Sequence, residues 1–74
     1  MPLLKRSISL HGHRTSLALE PEFWDVVENA ARASKRSLAS LIAEIDDNRD
    51  PEDALSSSVR VWALNTILDT GGPT

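Results

Sequence analysis

Seventy-four residues suffice for one domain at most, and a core of that size rarely yields more than about 5 kcal/mol unless a staple or a partner assists it. Cysteine is absent, which excludes a disulfide framework and thiolate metal sites, and a composition 41% apolar and 26% charged excludes a disordered tail. The net charge of −3 conceals a division: residues 1–18 carry Lys5, Arg6 and Arg14 against no acid, whereas residues 44–53 carry six acids against Arg49. That balance excludes indiscriminate nucleic-acid binding but leaves room for one localised polyanion contact at the basic end. No apolar leader opens the chain and no run of eighteen apolar residues occurs, so a soluble, cytoplasmic protein is expected.

In chain order, Lys5-Arg6 is followed by Ser7-Ile8-Ser9-Leu10, which alternates polar and apolar, and His11-Gly12 can turn the chain. Residues 1–13 are therefore a basic arm or an extra strand, and the residues leave the choice open. From Arg14 to Leu19 the period is two, with Thr15, Leu17 and Leu19 on one face and Arg14, Ser16 and Ala18 on the other. This is a half-buried strand.

Pro21 suits the first turn of a helix, and Glu20, Glu22 and Asp25 complement its dipole. Phe23, Trp24, Val26, Val27, Ala30 and Ala31 recur at three and four residues, predicting a first helix over roughly Pro21 to Ala33 with Leu19 stapled on Trp24. Ser37 stands as N-cap for a second helix carrying Leu38, Leu41, Ile42 and Ile45. An acidic linker over residues 47–56 follows. A third helix is predicted over residues 57–69, capped by serines 56 to 58, stopped by Gly71-Gly72-Pro73 and trailed by a tail over residues 70–74. Its apolar residues lie on more than one face, so it needs cover on two sides.

One strand followed by two amphipathic helices, over residues 14–46, resembles the ribbon-helix-helix family of bacterial DNA-binding proteins. The likeness rests on Arg14-Thr15-Ser16-Leu17-Ala18-Leu19, on Glu20-Pro21-Glu22-Phe23-Trp24 and on Ser37-Leu38. More narrowly, Lys5-Arg6-Ser7, Gly12-His13-Arg14-Thr15-Ser16 and the run from Leu19 to Trp24 resemble a small bacterial subgroup of that fold. The resemblance implies a mostly α fold with one N-terminal β-ribbon strand per chain, knitted into an intertwined homodimer, with a C-terminal helix added. It also implies sequence-specific DNA binding and a role in transcription regulation. The residues supply a reason for the dimer, because a lone strand has no ladder partner in its own chain.

The family's base-reading positions fall on Arg14, Ser16 and Ala18, of which arginine can address guanine through two N–H donors. Its phosphate seat falls on Ser37, Leu38 and Ala39, at the start of the second helix, with Lys35 and Arg36 beside it. Lys5 and Arg6 form a phosphate-contacting arm. Three features depart from the family's pattern. Ala18 cannot hydrogen-bond, Ser34-Lys35 stands where the family often has glycine, and a hairpin formed by residues 7–10 would give a dimer four strands, where the groove admits two. The excess of acid, the mute Ala18 and the possible four-stranded sheet support the alternative, a protein-interaction or assembly module of the same fold that does not bind DNA.

The other residues have plainer readings. Phe23, Trp24 and Trp62 read as core, and the acidic run as a solvated linker. His11 and His13 are weak candidates for a metal ion shared across a dimer, and no cofactor is expected. No nucleophile with a base and no glycine-rich phosphate loop is present, so no enzyme is expected. The third helix covers the dimer, joins dimers into tetramers or offers a groove to a protein partner. Its apolar character is unlike the disordered tail of an antitoxin.

Overall fold

The computed structural model describes residues 2–70, which form an antiparallel hairpin followed by three helices. Strand β1 (Leu4–Leu10) pairs with β2 (His13–Leu19) along its whole length, from Leu4 opposite Leu19 to Leu10 opposite His13. Between them stand only His11 and Gly12, both in the left-handed region at φ 52° and 82°. Two positive φ values are what a two-residue type I′ turn requires; glycine takes one freely, and histidine tolerates the other better than most side chains. The N-terminal segment is thus an extra strand, longer than the Ser7–Leu10 run that suggested it. The ladder partner that the size argument sought in a second copy is supplied by the chain itself.

Alternation sends Ile8 and Leu10 of β1 and Leu17 and Leu19 of β2 to one face, where all four are buried. Helix α1 (Pro21–Ala33) starts where proline predicts, with Glu20 in extended conformation and its carbonyl accepting from the N–H groups of Phe23 and Trp24. It buries Trp24, Val27 and Ala31. Helix α2 (Leu38–Asn48) is capped by Ser37, whose hydroxyl accepts the Ser40 N–H at 3.0 Å, and it buries Leu41, Ile42 and Ile45.

Helix α3 (Leu55–Thr70) begins two residues ahead of the expected start, so serines 56 to 58 lie inside its first turn. The expected stop at Gly71-Gly72-Pro73 lies outside the described residues. Val59 and Ala63 are buried, while Val61, Leu64, Ile67 and Leu68 are 43% to 60% exposed. One of the two apolar sides of α3 is covered by its own chain and the other is open.

Helix α2 lies over β1, α3 over β2, and α1 packs on both helices and on β2. The resulting core is wholly apolar among the described residues, with no buried polar side chain left to satisfy.

Candidate nucleic-acid interface

The face of the hairpin opposite the core is set by the register. It carries three cross-strand pairs: Lys5 with Ala18, Ser7 with Ser16, and Ser9 with Arg14. All except the half-buried Ala18 are exposed. Arg14 and Ser16 therefore lie together with Ala18 on one surface, as the resemblance implies. Lys5, Ser7 and Ser9 join them from β1, with no acid on that face.

The cations of the chain divide by what they touch. Arg6, one residue from Lys5, points inward because of the pleat; its guanidinium lies 4.5 Å from the centre of the Trp24 ring and 3.3 Å from the Glu28 carboxylate. Arg36 binds Glu44 at 2.8 Å and the Ser40 carbonyl and hydroxyl at 3.0 Å. Arg49 holds Asp46 at 2.7 Å, Arg60 holds Glu20 at 3.1 Å, and Arg32 donates to Asn29. Among the described residues, the side chains of Lys5, Arg14 and Lys35 make no such contact, nor do the hydroxyls of Ser7, Ser9 and Ser16.

At the predicted phosphate seat the Ser37 hydroxyl is engaged in capping, which leaves the N–H groups of Leu38 and Ala39 as the unpaired donors that begin a helix. Lys35 stands beside them, exposed, at φ 56°. Its N–H donates to the Arg32 carbonyl and the Arg36 N–H to the Ala31 carbonyl, at 3.1 and 3.0 Å. This is the Schellman closure of α1. The turn keeps the geometry the family gives to glycine, with a lysine in its place.

At the tip, His11 Nε2 sits 2.8 Å from Asp47 Oδ1 and 4.0 Å from Asp46 Oδ2, tying the turn to the C-terminal end of α2. His13 is exposed and stands opposite Leu10. Among the described residues His11, Asp46 and Asp47 form a trio within metal-ligand reach of one another. At the other end of the hairpin the Trp24 indole N–H donates to the Leu4 carbonyl at 2.8 Å. Nearby, the Arg60 side chain hydrogen-bonded to Glu20 holds that carboxyl below its ordinary range, and a backbone hydrogen bond within Glu20 acts in the same direction.

Sequence reasoning did not place Ser7 and Ser9 on this surface. Their signal was parity with Lys5, readable once β1 is taken as a strand. Nor did it foresee that Arg6 would be drawn to Trp24 and Glu28, residues distant in the chain whose contact has no local signature.

A family model for the ribbon-helix-helix domain matches residues 3–67, taking in both strands and most of α3. A solved structure of an uncharacterized protein from Bordetella pertussis Tohama I is similar, with 33% identity and a TM-score of 0.77. The match covers 95% of this chain and 60% of that one. No curated protein matches the chain.

Proposed function

Because the chain belongs to the ribbon-helix-helix family, a DNA-binding and typically non-enzymatic fold, we propose that it is a sequence-specific DNA-binding protein that regulates transcription. The outward face of the hairpin is the surface that meets the major groove. One observation carries this reading: Lys5 and Arg14 stand there unneutralised, among three free hydroxyls and no acid, in a chain whose net charge is −3. Elsewhere most arginines are held by a carboxylate of the same chain. Unpaired cations at a fixed spacing on a rigid two-stranded element suit a polyanion, and a ribbon fits the groove.

In this reading Arg14 and Ser16 contact base edges, and Ala18 offers only a methyl to thymine. Lys5, Lys35 and the N–H groups of Leu38 and Ala39 contact phosphate. Arg6 and Arg36 already have carboxylate partners, so they enter as supports of the ribbon and of the helix start.

The family's dimeric habit has support in α3, which leaves the stripe of Val61, Leu64, Ile67 and Leu68 open and whose Ile67 lines a groove of about 730 Å³ with Val26, Ala30, Leu41 and Trp62. A second copy seated there buries that stripe, and sedimentation at micromolar concentration tests it. The same stripe favours the second reading, an assembly module of this fold without DNA. No helix among the described residues is long and apolar enough to cross a membrane, which is compatible with action in the cytoplasm.

The deciding experiment is selection from a pool of random duplexes, followed by gel shifts over a range of salt. The expected result is an enriched sequence and a linear loss of log affinity with log salt. Absence of duplex binding at low salt rejects DNA binding and leaves the assembly module.

A further inference from the structure

The major groove is about 12 Å wide and accepts two strands. Here both strands of a ribbon come from one molecule, paired from Leu4 opposite Leu19 to Leu10 opposite His13. Two copies joined along the free edges of β2 would present four strands. At a spacing of about 4.8 Å their outer axes stand about 14 Å apart before any side chain is added. That sheet is too wide for the groove, whereas one hairpin is not.

We propose that a single chain supplies the complete DNA-reading ribbon, and that Ser7 and Ser9 of β1 read bases beside Arg14 and Ser16 of β2. The inference rests on the DNA binding proposed above and assigns its specificity to residues and to a stoichiometry. The ladder sets Ser9 against Arg14 and Ser7 against Ser16, so the hydroxyls form a block next to the guanidinium. Lys5 closes the far end, four residues along the strand or about 13 Å from Arg14. Two cations thus bracket three hydroxyls, and β1 makes good the reading capacity that Ala18 lacks.

The hairpin is equipped to act without a second strand pair. Its inner face is sealed by the chain's own helices, with Ile8, Leu10, Leu17 and Leu19 no more than 7% exposed. The tip is fastened by His11 to Asp47, and the open end by Trp24 to the Leu4 carbonyl. Helix α3 packs on the inner side, so copies that associate through its open stripe leave both outer faces uncovered, one ribbon for each site.

The test uses the full chain and a duplex of about 12 base pairs carrying one copy of the selected sequence, too short for a second half-site one helical turn away. Titration well above the dissociation constant should saturate at one chain per duplex. Ser7→Ala and Ser9→Ala should each lower the ratio of specific to non-specific affinity by about 2- to 10-fold, with an unchanged melting curve. Two chains per duplex overturn the inference, as does an unchanged ratio in both variants while Arg14→Ala still lowers it. In either case DNA binding itself stands. Failure of the wild-type chain to bind any duplex at low salt defeats the proposed function and this inference together.

Discussion

The two faces of one hairpin use the same residue types for opposite purposes. On the inner face Arg6 is stacked on Trp24 and paired with Glu28, surrounded by buried Ile8, Leu17 and Leu19. On the outer face the side chains of Arg14 and Lys5 have no hydrogen bond or ion pair among the described residues. A side-chain period of two places the core contacts and the proposed recognition surface on opposite sides of a single layer. A basic residue near the N-terminus therefore cannot be assigned to DNA by charge alone; strand parity decides which are free.

The largest effect should follow from damage to the inner face. Trp24 is 1% exposed, holds the Leu4 carbonyl and carries the Arg6 guanidinium. Trp24→Ala should cost about 3–5 kcal/mol, most of what a domain of this size possesses. Urea unfolding followed by circular dichroism should show little folded protein left. On the outer face, Arg14→Ala should lower affinity for the selected DNA sequence by about 10- to 100-fold, from the loss of a guanine contact. Its melting temperature should not move.

Arg6→Ala gives the matched control, since it removes the same charge from the same end of the chain. Losing a partly exposed cation–π contact and an ion pair should cost about 1 kcal/mol of stability, seen as a lower urea midpoint. The salt dependence of DNA binding should keep its slope, whereas loss of a phosphate contact would flatten it by about one. A flattened slope for Arg6→Ala would erase the distinction between the two faces.

Much of this fold was legible in the chain. Pro21 and Ser37 mark the starts of α1 and α2 where the structure has them, because an N-terminal proline and a hydroxyl cap act locally. The alternation of Arg14 to Leu19 separates an outward face from a core face, as the structure has it. The pairing of β1 was not decidable, because His-Gly encodes a type I′ turn weakly and the docking of its tip on Asp47 is a contact of distant residues. For the same reason the outer face could be named only by half, Arg14 and Ser16 without Ser7 and Ser9. The start of α3 was missed by two residues because three consecutive serines each resemble a cap.

Under the proposed function Lys35 would combine both roles at one position. It has a free ammonium beside the start of α2, and a left-handed backbone that a side chain adopts at a cost of about 1–2 kcal/mol. Lys35→Gly removes that strain but raises the entropy of the unfolded chain, so a net gain of about 0.5–1 kcal/mol is expected by urea unfolding. The same variant should bind all DNA sequences more weakly, with a shallower salt slope. A gain in stability together with a uniform loss of DNA affinity would identify Lys35 as a position where function is favoured over local stability. An unchanged affinity would confine free-cation recognition to the hairpin.

The smallest effect concerns a cation that is not free. Arg60 on α3 hydrogen-bonds the Glu20 carboxylate at the start of α1, and the pairing lowers the carboxyl's pKa in the folded state. A carboxyl that releases its proton more readily when folded binds fewer protons than in the unfolded chain, so stability rises with pH across its titration. The contribution is fully present above the ordinary glutamate value of about 4.5 and fades as the pH falls through the lower folded value. Arg60→Ala removes the cause, and the difference in melting temperature between variant and wild type should shrink as the pH is lowered from 6 toward about 3. At neutral pH the same variant should show the wild-type salt slope for DNA, because a guanidinium already bound to Glu20 contributes no phosphate contact. A changed slope would mean that Arg60 leaves Glu20 for the nucleic acid, and the division between paired cations that hold the fold and unpaired ones proposed to meet DNA would then fail at α3.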